Sequence, residues 1–356
     1  MSLNRWKYGF VALVTAALTG CSLVDENLSD CETDYHIDYE LRLVTNMTTE
    51  LQTQLSTQVE LTPVATALQS HLRGIFTDYA HDVDLSFYDV KEDSLRLHHE
   101  THIMNANQSS YTLFIPVRKY MHVAVANMEP VNPDGSAAQK QVFLYSDDRC
   151  HRAYVEAPVG NSQNIVKSHN TGIFSARLPM DIKEGMDQTF DVKLYMVNCA
   201  SAVALDTLGS GIKDIRMFAS GFANGFNLAD STYRFGFNPK VQADEVKIAD
   251  NRFVCFCAVT FPSRDVEGTK VVIDSDDPYI SDASSEKLWD YSIYATAADG
   301  STTETVLSVK LPLRPGQFKL IRAKVQPDGS VTPQEAYVGA SVTLQWNELP
   351  GWEIEF

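Results

Sequence analysis

Tyr35-His-Ile-Asp-Tyr-Glu-Leu-Arg-Leu-Val44 decides the fold class: Tyr35, Ile37, Tyr39, Leu41 and Leu43 fall at every second position, with His36, Asp38, Glu40 and Arg42 between them. Side chains two apart share one face of a strand, so the segment reads as a half-buried β-strand. Similar patterns return at 83–90, 94–98, 110–115 and 120–127, and more weakly at 143–145, with Asn132-Pro-Asp-Gly135 as an intervening turn. One segment has a different period. In Leu61-Thr-Pro-Val-Ala-Thr-Ala-Leu-Gln-Ser-His-Leu-Arg-Gly-Ile-Phe76 the apolar residues Val64, Leu68, Leu72, Ile75 and Phe76 recur at spacings of three and four. Pro63 suits a first turn and Thr62 a cap, so the spacing predicts a helix. Short strands about ten residues apart with a single inserted helix predict a β-sandwich rather than βαβ units.

Strand patterns continue at 172–178, 189–198, 213–218, 231–235, 253–260, 270–274, 288–296, 305–311, 318–325 and 340–346. Asp299-Gly300 and Asp328-Gly329 fall in the gaps as hairpin turns. Tyr111-Thr-Leu-Phe-Ile-Pro116, Phe174-Ser-Ala-Arg-Leu-Pro179 and Leu307-Ser-Val-Lys-Leu-Pro312 each place a proline where an alternating strand is expected to end. The stretch 158–172 is poor in large apolar groups, and 356 residues exceed what one core normally holds. The expected division is therefore a β domain over 35–165, containing the helix, and a larger one over 166–356.

The N-terminus reads as a processing segment. Arg5 and Lys7 precede an apolar run over 8–18, and Leu18-Thr19-Gly20-Cys21 follows. This is the layout of a secretory signal over 1–20. The apolar run is shorter than the roughly 18 to 20 residues that span a bilayer. A small residue directly before a cysteine is the lipobox arrangement, which nominates Cys21 for acylation and 21–34 as an acidic tether. Acyl chains contribute about 0.8 kcal/mol per buried CH₂, so several on one residue anchor a protein durably. The whole chain has 29 Lys+Arg and 46 Asp+Glu; without Arg5 and Lys7, and with no acid removed, the remainder carries a formal charge of −19. Such an excess disfavours nucleic acid and anionic bilayers as partners.

Five cysteines remain after Cys21: Cys31, Cys150, Cys199, Cys255 and Cys257. All five are disulfide candidates, and the odd number leaves at least one unpaired. Cys31 can be matched with Cys150, and Cys199 with Cys255 or Cys257 if their strands are neighbours. No second C-x-C or His pair completes a tetrahedral metal set around Cys255 and Cys257.

The remaining candidates for chemistry are weak. His98-His99-Glu100-Thr-His102 lacks the spacing of a zinc-protease helix, and in a strand His98, Glu100 and His102 share one face. Asp274, Asp276, Asp277 and Asp282 form a candidate weak cation loop without the central Gly and terminal Glu of a calcium-binding loop. Nucleophile-elbow, phosphate-loop and dinucleotide fingerprints are missing, so neither enzymatic activity nor a cofactor is expected. Trp289, Trp346 and Trp352 are candidates for a carbohydrate groove. The C-terminal alternations at 342–346 and 352–356 suit a strand that closes its own sheet or completes that of another chain.

Leu18-Thr-Gly-Cys21, the acidic Val24-Asp-Glu-Asn-Leu-Ser-Asp-Cys31, the strand 35–44, the segment 174–179 and Gly351-Trp352 together resemble the FimB/Mfa2 family of fimbrial anchor lipoproteins of Bacteroidetes, within the wider fimbrillin-like superfamily of major and minor fimbrium subunits. The resemblance spans essentially all of the chain beyond the signal. It implies tandem transthyretin-like β-sandwich domains and a palmitate-bearing lipoprotein of the cell outer membrane, exposed at the surface. It further implies a structural part in cell adhesion, as an anchor or minor subunit joined to fimbrial subunit proteins by β-strand complementation, with no catalytic residues. The competing expectation is a surface glycan-binding or adhesion module.

Overall fold

The computed structural model describes residues 34–44, 61–77, 80–90, 95–103, 110–129, 144–146, 150, 153–157, 164–235, 238–249, 251–264, 271–272 and 288–345. In chain order these form β1 (Asp34–Val44), helix α1 (Thr62–Ile75), β2 (Asp82–Asp89), β3 (Arg96–Ile103), β4 (Ser110–Pro116), β5 (Lys119–Ala126), β6 (Leu144–Ser146), β7 (Tyr154–Glu156) and β8 (Ile165–Lys167). Next come β9 (Phe174–Asp181), β10 (Gln188–Met196), β11 (Cys199–Asp206), β12 (Ile212–Ser220), β13 (Gly225–Asn227), β14 (Thr232–Arg234), β15 (Lys240–Gln242) and β16 (Asp244–Val246). The series ends with β17 (Phe253–Thr260), β18 (Val271–Val272), β19 (Trp289–Ala297), β20 (Thr302–Val309), β21 (Phe318–Val325), β22 (Val331–Pro333) and β23 (Val338–Gln345). The described residues are mainly β, with one helix.

Four sheets result. A seven-stranded sheet runs β3-β2-β5-β9-β10-β1-β4, and a five-stranded one β16-β17-β11-β21-β22. A six-stranded sheet runs β23-β20-β19-β12-β15-β8, and a small five-stranded one β18-β14-β13-β7-β6. Strands from both sides of residue 165 share the seven-stranded sheet: β9 pairs antiparallel with β5 over its whole length, and β10 pairs parallel with β1 from Ile37↔Gln188 to Val44↔Tyr195.

The β16-β17-β11-β21-β22 sheet lies between two cores. On one face Ala200, Ala202, Ala204, Cys255, Cys257 and Leu320 pack with α1 and the inner residues of the seven-stranded sheet, among them Tyr39, Phe87, Leu113 and Val192. On the other face Cys199, Val203, Leu205, Phe256 and Ile321 meet Trp289, Tyr291, Ile293 and Leu307 of the six-stranded sheet. A sheet covered on both faces is built from nearly continuous apolar runs. That is why β11, Cys-Ala-Ser-Ala-Val-Ala-Leu-Asp, has no alternation, and why the sequence reading places no strand there. A third core joins the outer face of β2 and β5, through Tyr88, Val123 and Val125, to Val155, Phe226, Tyr233 and Phe261.

α1 follows its expected periodicity, burying Val64, Leu68 and Leu72 in the first core. Its start differs from expectation. Leu61 occupies the N-cap, no side chain caps the helix, and Thr62 is already helical, with its carbonyl accepting a bond from Thr66 Oγ1. Pro63 in the first turn removes an amide that would otherwise be left without an intrahelical partner. At the far end Gly172 N–H donates to Ile75 O, and a Cβ on Gly172 would stand 2.3 Å from the Phe76 ring, so the approach needs glycine. The two Asp-Gly-Ser turns fold alike. Asp299 Oδ1 accepts from Ser301 N and Oγ, Asp328 Oδ1 accepts from Ser330 N and Oγ, and Gly300 and Gly329 adopt φ of +88° and +81°. Of the three prolines expected to end strands, Pro116 ends β4 and Pro312 lies beyond β20, but β9 continues past Pro179 to Asp181. It can do so because the β9–β10 ladder has already ended at Ser175.

An Ala202→Leu substitution forces three extra carbons into the fully buried strand at the centre of the shared sheet. We expect urea unfolding to show a loss of about 1–3 kcal/mol, or a failure to fold. Thr343→Leu, on an exposed strand, should change stability by less than about 0.5 kcal/mol.

Candidate functional site

The seven-stranded sheet curls until its two edge strands meet. β3 is hydrogen-bonded to β2 and β4 to β1, and among the described residues no backbone ladder joins β3 to β4. Side chains close the seam on its inner side instead. The His102 ring stacks on Tyr111 at 4.6 Å between centroids, and Tyr111 packs against Tyr39 at 5.9 Å. Glu100, as its place two residues from each histidine implies, accepts from both: Oε1 from His98 Nε2 at 2.7 Å and Oε2 from His102 Nε2 at 2.9 Å. His99 points to the other face and bonds Asp84 at 2.6 Å. Among the described residues no group of three or more His, Cys, Asp or Glu is placed to hold a metal ion.

Behind the seam lies a buried polar contact whose proton positions follow from its partners. The His122 ring has Nδ1 3.0 Å from the Ser86 carbonyl and Nε2 2.5 Å from Tyr39 Oη. A carbonyl can only accept, so Nδ1 carries the hydrogen and Nε2 accepts from the tyrosine O–H. The ring is neutral. Burial holds His122 down to about 3, the Ser86 contact opposing it, and pushes Tyr39 well above the ordinary phenol range. His169, likewise buried and pushed down to about 3, has Nδ1 2.7 Å from Asn198 Nδ2, which donates; Asn198 Oδ1 in turn accepts from Ile173 N–H.

The outer side of the seam exposes three large apolar side chains among polar ones. Leu97 is 39%, Phe114 59% and Ile103 89% exposed, all on the two strands that end the sheet among the described residues. Among the described residues β23 is a further long edge strand: it pairs with β20 from Val309↔Val338 to Thr302↔Gln345 and ends its sheet. Gly339, Ala340, Ser341, Val342 and Thr343 are all exposed. The C-terminal alternation beginning at 342 thus closes the chain's own sheet while presenting an edge.

Several sequence candidates fall elsewhere. Cys21, Cys31, Asp274, Asp276, Asp277, Asp282, Trp346 and Trp352 lie outside the described residues, as does the 132–135 turn. Trp289 is fully buried in the second core with Nε1 donating to Leu311 O, so it lines no surface groove. Cys150, Cys199, Cys255 and Cys257 are buried free thiols. β11 and β17 are neighbours, but Cys199 sits opposite Thr260 and faces the second core, while Cys255 and Cys257 face the first. Burial pushes the Cys199 and Cys255 thiols up to about 12. Alternation marks part of each strand in the sequence but not that their edges meet; the unbroken Leu113-Phe-Ile115 leaves one large apolar side chain facing outward.

Neither a protein-family model nor a curated protein matches the chain. Solved structures do. A Bacteroides ovatus protein described as an adhesin aligns with a TM-score of 0.51 at 12% identity, over 87% of this chain and 96% of that one. A Bacteroides thetaiotaomicron protein described as polysaccharide-binding gives 0.46 at 8% identity, over 85% and 97%. The fimbrial anchor protein Mfa2 of Porphyromonas gingivalis gives 0.41 at 10% identity, over 88% and 100%. At 12% identity the likeness to the adhesin is one of fold.

The two neutral histidines give a signed pH prediction. Unfolded, each protonates near pH 6.5, and folded only near pH 3. Stability is therefore complete above about pH 6.5 and lost as the pH falls toward 3, at up to about 1.4 kcal/mol per pH unit for each ring. Thermal unfolding should show a lower Tm at pH 5 than at pH 7, and His122→Gln should reduce that difference. A maleimide should leave Cys199, Cys255 and Cys257 unmodified in the native protein and label them on unfolding.

Proposed function

We propose that this chain is a non-enzymatic, surface-displayed adhesion protein of fimbrial type whose open sheet edges join it to a partner by strand addition. The observation that carries the reading is the β3–β4 seam: two edge strands that, among the described residues, no backbone ladder joins, with Leu97, Ile103 and Phe114 exposed beside it. Edge strands of monomers are normally shortened, charged or covered. An extended partner segment laid along such an edge gains main-chain hydrogen bonds, while alternate side chains bury the apolar groups. The description of the Bacteroides ovatus structure as an adhesin supports the same class.

The finer form of the proposal concerns location and assembly. Acylation of Cys21, with palmitate among the chains, would fix the protein in the outer membrane, and the acidic segment after it would hold the body clear of anionic lipid. In that position the chain serves as a fimbrial anchor or minor subunit, with β23 as a second edge for contact with fimbrial subunits. Tandem transthyretin-like units over 35–165 and 166–356 belong to this proposal, in a form in which β9 and β10 cross back to complete the sheet of the first unit. A cation loop at 274–282 is subsidiary to it.

Cells displaying the Ile103→Lys/Phe114→Lys form should lose adhesion or filament assembly by about tenfold or more, the equivalent of roughly 1.4 kcal/mol at the contact. The purified variant should keep its Tm, because both side chains are exposed. Unchanged adhesion would remove the seam from the function. Separately, Cys21→Ala should move the protein from the membrane fraction to the soluble one; equal retention in the membrane would contradict the lipid tether.

A further inference from the structure

β9 and β10 are antiparallel neighbours that pair at only two positions, Ser175↔Tyr195 and Phe174↔Met196. Beyond these the strands part, β9 staying with β5 and β10 with β1. The residues explain why. Continuing the register would set Arg177 opposite Lys193, and like charges directly opposite one another disfavour a ladder. Two pairs further on, Pro179 would face Asp191 and has no N–H to give. The split opens into a cavity of about 770 Å³ lined by both cations.

The cavity has the chemistry of a ligand site. Tyr195, 57% exposed, stands at its mouth, and Phe226 and Tyr233 line it. The Tyr233 hydroxyl is committed to Val197 O, leaving the ring as its contribution. Ser231, held at a positive φ, brings a hydroxyl to the wall. Asp191, the one acid in the lining, is engaged by Arg42 at 3.4 Å. Among the described residues neither Arg177 nor Lys193 has an ion-pair partner. Arg177 reaches the Cys150 sulfur, which uses only part of a five-donor guanidinium. Two unmatched cations flanking one cavity are notable in a chain with a formal charge of −17.

We propose that the cavity between β9 and β10 binds an oligosaccharide bearing a carboxylate, of uronic or sialic acid type. The carboxylate sits between Arg177 and Lys193, removing the repulsion that splits the strands, and the sugar rings lie against Tyr195 and the aromatic wall. A charged group that takes both cations at once gains two charge-assisted bonds. Aromatic faces and hydroxyls suit the alternating C–H and O–H surfaces of a saccharide better than the side chains of an acidic peptide, and the volume matches a small-molecule site rather than a chain-length groove. The inference rests on the adhesion reading and specifies its ligand.

The test is calorimetric titration of the purified chain with trigalacturonic acid, with sialyllactose, with the neutral galactose trimer and with a glutamate-rich peptide. The expected result is binding of at least one acidic saccharide, weaker by about tenfold or more for the neutral trimer and for the Arg177→Gln/Lys193→Gln form. Tyr195→Ala should weaken it too, and Lys310→Gln, away from the cavity, should not. No binding of either acidic saccharide, equal binding of the neutral trimer, preference for the peptide, or full binding by the double variant would each overturn the proposal. The Ile103→Lys/Phe114→Lys form should keep its saccharide affinity, so failure of the cavity and failure of the strand-addition seam are read separately.

Discussion

One sheet with both faces buried holds the molecule together. β11 and β17 exchange eight register pairs, from Cys199↔Thr260 to Asp206↔Phe253, and β21 lies parallel to β11 on its other side. Successive side chains go to opposite cores, so the first core, with α1 and the seven-stranded sheet, and the second, with the six-stranded sheet, share a wall one strand thick. A register slip of one residue would exchange the two faces of that wall and disturb both cores at once. Small residues suit the position. Ala200, Ala202 and Ala204 leave room for α1 and the inner faces of β1 and β5, while Trp289 and Tyr291 fill the opposite side.

Polar groups inside this arrangement have partners that tie sheets to one another. Ser201 and Tyr291 hydroxyls meet at 2.6 Å across the second core, Ser168 Oγ accepts from Val259 N–H, and Ser263 Oγ accepts from Leu313 N–H. A buried polar group costs free energy unless it is hydrogen-bonded, so each such pair favours one relative placement of its elements over close alternatives. The same logic applies to the neutral His122 between Tyr39 and Ser86, which links β1, β2 and β5 near the open seam. The cross-sheet bonds are thus concentrated at the centre, and the sheet-ending strands β3, β4 and β23 lie at the periphery. A scaffold of this kind can offer main-chain edges without losing its own fold.

Local pattern made much of the architecture legible. β1, α1, β5, β17, β19 and β21 were readable from their spacing, and Asp299-Gly300 and Asp328-Gly329 from turn chemistry, because each depends on residues adjacent in the chain. β11 was not, since its small apolar residues show neither alternation nor strong strand preference and become a strand only through neighbours on both sides. The seam was half legible: alternation located β3 and β4, but which edges stay unpaired is a property of the closed sheet. Arg177 and Lys193 meet only through the β9–β10 register, and the burial of His122 and His169 follows from packing alone. Thr62, which side-chain chemistry favours as a cap, lies inside the helix because Leu61 takes that position.

Hydrogen–deuterium exchange of the purified chain addresses the shared wall directly. If β11 and β17 are the wall common to both cores, their amides exchange only through global unfolding, together and last, while those of the sheet-ending strands β3, β4 and β23 exchange earlier. Exchange of β11 and β17 at the rate of the edge strands, or at rates differing between the two, would contradict it.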